Sequence, residues 1–316
     1  MWTGNLSALL VGLSVLLTVR RCLSARSRRL PRSTERVLII GASSGIGRTL
    51  AVEYARLGVH GVCVVGRRVE MLEEVVEECK SHAHSSLKKT EVLALAGDFA
   101  EVGDMVRVRN ELQSRWGGID TVVVAAGVSA LRPLLDIVKD KPGDDGIQHL
   151  VDVSARATRG NFVGPLVAAA TFIPLLESSS PHPSILLVNS LASAIPAPTR
   201  ALYASTKAAS LHLYQALAIE HPKIAFTQFL PSTVEGDFRA SAVDGGAANV
   251  READPNKHGL KRIPVARRCI QAIEHREKHV FMPWSMGPSH LIFWLWPAFV
   301  EWRASVKYRF TPPQRT

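Results

Sequence analysis

The sequence predicts an alternating α/β protein built on a single doubly wound parallel sheet of about seven strands. Three observations predict it. Seven short runs rich in Val, Ile and Leu lie at residues 36–40, 61–66, 91–96, 120–125, 184–190, 224–230 and 280–282. They show little polar alternation, as strands covered on both faces should. Helical patterns of ten to thirty residues separate most of them, and the first run feeds a glycine-rich stretch that opens a helix. One domain over residues 36–282 accounts for the body of the chain, and no internal repeat interrupts it.

Composition narrows the function classes. The chain has 316 residues, 47% hydrophobic and 21% charged, which excludes a disordered or low-complexity protein. Its four cysteines, Cys22, Cys63, Cys79 and Cys269, have no CxxC spacing, so neither a zinc site nor a disulfide framework is expected. His82 and His84 alone at a helix end read as solvated, and no metal is expected. The net charge of +10 is concentrated: residues 1–36 hold seven Arg against Glu35 alone. Six of those Arg fall within residues 20–32, directly after an apolar stretch, which suits anionic lipid headgroups rather than nucleic acid.

Residues 1–19 carry no charged side chain. As a helix they would be about 28 Å long, close to a ~30 Å hydrocarbon core. The bases follow the apolar run instead of preceding it, and Arg20-Arg21-Cys22-Leu23 is a poor cleavage site, so an uncleaved membrane anchor is expected over a signal peptide. Residues 20–35 form a basic linker. Arginine clusters stay cytoplasmic, which places the remainder of the chain in the cytosol, with a lumenal orientation as the alternative.

The first strand runs into Gly41-Ala42-Ser43-Ser44-Gly45-Ile46-Gly47 and then a helix. Glycines there permit a tight turn and close backbone approach to a pyrophosphate, and the helix N-terminus supplies free N–H donors. The GxxxGxG spacing resembles that of the short-chain dehydrogenase/reductase family, and the resemblance extends over about residues 36–282. It implies a Rossmann-type sheet and a nicotinamide dinucleotide on Gly41, Ser43, Ser44, Gly45, Ile46 and Gly47. Ile40 stands where the family usually has Thr. The second strand ends Gly66-Arg67-Arg68, with no acid to bond a ribose 2′-hydroxyl. Guanidinium groups pair well with a 2′-phosphate, so NADP(H) is expected, with Arg67 the foremost contact and Arg68 beside it.

A helix over 68–81 follows, with Glu73, Glu74, Glu77 and Glu78 on its wet face. After the third strand, Asp98 matches the acid the family sets beside the adenine ring; capping a helix before Ala100 is the other reading. The fourth strand ends Val124-Ala125-Ala126-Gly127, where the family pattern is Asn-Asn-Ala-Gly. Both asparagines are absent, but Ala126 and Gly127 still let the backbone approach the cofactor.

Next come Asn161 on a long helix, Ser190 at the end of the fifth strand, and Tyr203-Ala-Ser-Thr-Lys207 on a helix over 200–221. YxxxK puts Tyr and Lys one turn apart on one helix face. Ser–x12–Tyr–x3–Lys matches the family's catalytic constellation, and Asn161 matches its fourth member. Hydride transfer to a ketone develops negative charge on oxygen. Tyr203 can deliver the proton, although a free phenol has a pKa near ~10. Lys207 and the oxidised nicotinamide are expected to lower that value, and Lys207 to hold the nicotinamide ribose. Ser190 orients the carbonyl and steadies the developing oxyanion. Asn161 in the family sustains a water chain to Lys207; a helix bend is its other reading.

After the sixth strand, Pro231-Ser232-Thr233-Val234 resembles the segment that the family lays against the carboxamide, and Pro231 and Val234 carry over. Residues 232–261 are irregular and fall where the family keeps its substrate lid. Residues 281–300 carry no formal charge and, with Trp302, hold four of the six tryptophans within nineteen residues. Pro283, Pro288 and Pro297 exclude a straight spanning helix. The arm at 283–316 therefore reads as a monotopic membrane contact, or as a segment packing on its own domain or on a partner subunit in a homodimer. It resembles membrane-associated family members, among them hydroxysteroid and retinol dehydrogenase-like ones.

These features together lead to an expected NADP(H)-dependent oxidoreductase of lipid metabolism. It would act on a carbonyl or alcohol of a lipophilic small molecule at the endoplasmic reticulum or a lipid droplet. A non-catalytic nucleotide-binding scaffold on the same fold is the alternative, motivated by the missing asparagines and by Ser232.

Overall fold

The structure, a computed structural model, describes residues 30–83, 90–246 and 252–310. Its centre is β1 (Arg36–Ile40), which pairs in parallel with β2 (Gly61–Gly66) on one side and β4 (Thr121–Val124) on the other. With β3 (Glu91–Ala96), β5 (Ser184–Val188), β6 (Ala225–Pro231) and β7 (His279–Met282), the sheet has seven strands in the order 3-2-1-4-5-6-7, every pair parallel. The expected fold class is the one observed. Ser190 lies outside β5, however, because its Oγ accepts from the Ala192 backbone N–H and turns the chain out of the sheet. Asp120 and Ala125 flank β4, and β6 sits one residue later than expected.

Alternate side chains of β1 enter two cores. Val37 and Ile39 face the layer of α1 (Gly45–Arg56), α2 (Val69–Ala83) and α8 (Arg262–Glu274), through Leu50, Leu72 and Ile270. Leu38 and Ile40 face α3 (Val102–Trp116), the long helix α5 (Gly143–Ser179) and α6 (Ala201–Glu220), through Met105, Phe172 and Tyr214. Two short helices, α4 (Leu134–Val138) and α7 (Pro255–His258), lie in connections. Helix α5 is long and apolar enough to cross a membrane, but half of its apolar window is buried in the domain, with Phe172 and Leu176 in the core. It is a core helix. Cys63, Cys79 and Cys269 are buried free thiols, and burial pushes each of them up.

The expected anchor at 1–19, the Arg run through Arg29, Cys22 and His84 lie outside the described residues. The arm after β7 folds as α9 (Ser289–Leu295) and α10 (Pro297–Tyr308), broken at Trp296. Val300, Ala304 and Tyr308 of α10 are buried. Trp284, Trp294, Leu295, Trp296 and Trp302 are exposed, Trp284 at 85% and Leu295 at 86%. The arm therefore packs on its own domain through one face of its last helix and leaves its aromatic side outward.

At the N-terminal edge of the sheet, Arg36 grips the buried Asp120. Its Nε donates to Oδ2 at 2.8 Å and a terminal nitrogen donates to Oδ1 at 3.0 Å. Burial alone would raise the Asp120 carboxyl, but Arg36 and the Ser180 hydroxyl hold it below its ordinary value. A carboxylate depressed in the folded state stabilises above about pH 3.9, and that contribution is lost as pH falls through the lower folded value. Arg36→Met should therefore lower stability by about 3 kcal/mol at pH 7. In urea titrations the deficit should shrink as the pH is taken down toward 3.

Candidate active site

The turn after β1 is built for close approach. Gly41 has φ +88°, and a Cβ there would lie 2.5 Å from the Ala126 nitrogen. A Cβ on Gly47 would lie 2.2 Å from the Gly41 carbonyl oxygen. Gly45, at φ +58°, opens α1 with nothing within 4 Å of its Cβ position. The first N–H groups of α1 therefore stand at an uncrowded cleft edge, where an anionic group is favoured. Ser43, Ser44 and Ile46 line the same edge. Arg68 donates to the Ser43 hydroxyl at 2.9 Å and the Ser44 hydroxyl at 3.1 Å. Arg67 is exposed on the same rim. This cradle fits a dinucleotide diphosphate, and the paired guanidiniums fit one further phosphate.

Asp98 lines the cleft as well. Its Oδ1 accepts from the Ala100 N–H at 3.0 Å and its Oδ2 from Arg159 at 3.1 Å. It caps a turn, not a helix: α3 begins at Val102, with Glu101 in the cap position.

The four expected catalytic side chains come together at the C-terminal edge of the sheet. Tyr203 and Lys207 sit on α6 and are buried. The side chain of Ser190 stands close enough to the Tyr203 hydroxyl to favour its ionised form. The Lys207 ammonium donates to the Val188 carbonyl at 3.1 Å. A π-helical turn at Arg159–Val163 in α5 turns Asn161 inward, a distortion frequent at functional sites. Asn161 grips both backbone polar groups of Val128, accepting at 2.9 Å and donating at 3.0 Å, and also donates to Thr206. Gly127 closes the floor: a Cβ there would sit 2.9 Å from Asn161 Oδ1 and 3.1 Å from Lys207 Nζ.

Burial raises the Tyr203 phenol above its ordinary value, opposed by Ser190 and by the charge of Arg200. Sequence reasoning named Lys207 and the oxidised nicotinamide as the groups that would lower it; Arg200 is a further cation beside the ring. Burial itself brings the Lys207 ammonium down to about 8.

The cleft has a volume of about 870 Å³, and Pro231 and Val234 line it with Ser232. Around Tyr203 it holds residues that sequence reasoning missed. Phe238 meets Tyr203 edge-on, with centroids 6.0 Å apart. Arg200 and Arg239 share the carboxylate of Glu252, at 2.6 and 2.9 Å. Lys307 and Tyr308 of α10 also reach the cleft. Arg200 stands three residues before Tyr203, which is its only local signal. Glu252, in the irregular segment, and Tyr308, in the arm, have none.

Comparison with known proteins agrees with this geometry. A family model for short chain dehydrogenase matches residues 35–245. The chain is 28% identical over 302 residues to dehydrogenase/reductase SDR family member 7B of Danio rerio, covering 93% of this chain and 91% of that protein. It is 32% identical over 200 residues to 11-beta-hydroxysteroid dehydrogenase-like 4A of Arabidopsis thaliana, covering 63% and 60%. Among solved structures, an SDR from Burkholderia phymatum in complex with NAD superposes with a TM-score of 0.67 at 17% identity, over 91% of this chain and 99% of that one. An alcohol dehydrogenase from Thermococcus sibiricus complexed with 5-hydroxy-NADP gives 0.62 at 22%, over 78% and 94%. Those two likenesses concern the fold; with the family match over two thirds of its length, the chain belongs to the short-chain dehydrogenase/reductase family of oxidoreductases.

Proposed function

We propose that the protein interconverts a carbonyl and a secondary alcohol on a lipophilic substrate with NADP(H), using Tyr203 as general acid and base. The observation that carries this reading is the gathering of Ser190, Tyr203 and Lys207 on one wall of the cleft, with Tyr203 and Lys207 buried one helical turn apart and Asn161 against the same floor. NADP(H), when bound, supplies or takes up the hydride. Tyr203 gives its proton to the carbonyl oxygen in reduction and takes the alcohol proton in oxidation. Ser190 Oγ accepts from the Ala192 N–H, which leaves its own proton to donate toward the substrate oxygen. Lys207, held by the Val188 carbonyl, is the group for the ribose hydroxyls. Asn161 fixes the loop after β4 beneath them.

Arg67 and Arg68 at the end of β2, with no acid beside them, support NADP(H) over NAD(H). The hydroxysteroid dehydrogenase names among the relatives, and a cleft that Phe238 and Tyr308 help to line, support a lipophilic substrate. The exposed tryptophans of the arm and the charge-free residues 1–19 support two membrane attachments, with the catalytic domain on the cytosolic face of the endoplasmic reticulum or a lipid droplet.

Each part has its own test. Dissociation constants should favour NADPH over NADH, and Arg67→Asp should narrow or reverse the preference; equal affinities in the wild type overturn the cofactor assignment. Tyr203→Phe should lower NADPH-dependent turnover of lipophilic ketones by at least about 10²-fold while leaving NADPH binding nearly intact. For the membrane, removing residues 1–32 should release only part of the protein from microsomes, and removing 283–316 as well should release the rest, with circular dichroism as the check on folding. Protease should reach the catalytic domain in sealed microsomes without detergent.

A further inference from the structure

Arg200 is buried at the start of α6, where three separate parts of the chain meet around Tyr203. Its guanidinium carbon lies 5.8 Å from the centroid of the Tyr203 ring and 6.0 Å from that of Tyr308 on α10. Its Nε donates to Glu252 at 2.6 Å, and Arg239 holds the second oxygen of that carboxylate at 2.9 Å. The side chains of Arg200 and Glu252 are each only 9% exposed. A buried guanidinium, Arg200, and a partly buried one, Arg239, thus share one carboxylate at the wall of the catalytic cleft. A guanidinium beside an aromatic ring is attracted to its π face, and a cation at this range favours the ionised phenol.

We infer that Arg200 is a positioning residue for the reaction, an electrostatic partner of the Tyr203 phenol whose effect is set by its ion pair with Glu252. The inference rests on the reading of Tyr203 as general acid and base. Among the described residues, the groups that face the ring fit it. Ser190 stands beside the hydroxyl from the turn after β5, and Lys207 follows Tyr203 on the same helix. Phe238 packs edge-on, and Arg239 follows it in the chain. Lys307 and Tyr308 close the cleft from the arm, with the Lys307 ammonium 5.4 Å from the Tyr308 centroid. Glu252 opposes Arg200, so the net field on the phenol depends on how closely that carboxylate is paired with the guanidinium.

The test exploits opposite signs. The chain has four tyrosines, so the 13Cζ resonance lost in Tyr203→Phe identifies the Tyr203 phenol in tyrosine-labelled full-length protein. Arg200→Met should raise the titration midpoint of that resonance by roughly one pH unit, and Glu252→Gln should lower it. Arg200→Lys should return it toward the wild-type value. The acidic limb of alcohol oxidation, which needs the phenolate, should move in the same order. If Arg200→Met does not fold, Glu252→Gln must still lower the midpoint. An unchanged midpoint in both variants, or a shift of both in one direction, would mean that Arg200 only braces the segment that carries Glu252, and overturns the inference. A wild type that turns over no carbonyl compound would instead overturn the oxidoreductase reading, while the order of midpoints still decides the electrostatic one.

Discussion

The site depends on how closely two backbone segments approach each other at the centre of the sheet. β1 and β4 are neighbours, and beyond their C-terminal ends the chain departs to opposite sides. At that point Gly41 comes so near Ala126 that no side chain fits between them, and Gly47 comes equally near Gly41. The space kept clear at this switch point is the crevice in which an open α/β sheet holds its ligand. The cleft, the opened N-terminus of α1 and the access to Arg67 and Arg68 all follow from it. A Cβ at Gly41 would displace the loop after β4, and with it the segment that Asn161 grips through Val128.

The chemistry is concentrated where water is scarce. Asn161, Tyr203 and Lys207 are buried; Asn161 is bonded to Val128, Lys207 to the Val188 carbonyl, and Ser190 stands beside the Tyr203 hydroxyl. Burial works on the two titrating groups in opposite senses, raising the phenol and lowering the ammonium, because in both cases it disfavours the charged form. A poorly solvated site of this kind makes each remaining charge count for more. The Arg200 guanidinium 5.8 Å from the Tyr203 ring, itself paired with Glu252, favours the ionised phenol against that burial.

The arm joins this site to the outer surface. α10 buries Val300, Ala304 and Tyr308 and turns Trp302 outward. One short helix thus contributes Tyr308 to the cleft wall and an aromatic side chain to the exterior. Trp296 and Phe299 stack at 5.1 Å, so the outer face is an ordered aromatic surface rather than a set of isolated side chains. The prolines that exclude a spanning helix are also what fold the arm back: the chain breaks between α9 and α10 at Trp296, and Pro297 opens the second helix.

Local signals in the sequence determined the sheet, its parallel sense, the glycine loop and the Ser190, Tyr203 and Lys207 set. Strand burial on both faces, the tight turn and the one-turn spacing on a helix each leave a pattern within a few residues. The sequence also marked Asn161, but only the fold supplied the π turn that aims it inward. Tertiary structure alone decided the electrostatics of Tyr203. Arg200, Glu252, Arg239 and Tyr308 come from a helix start, an irregular segment and a C-terminal arm that no spacing connects. Their charges matter through distance and burial, and both quantities exist only once the chain has folded.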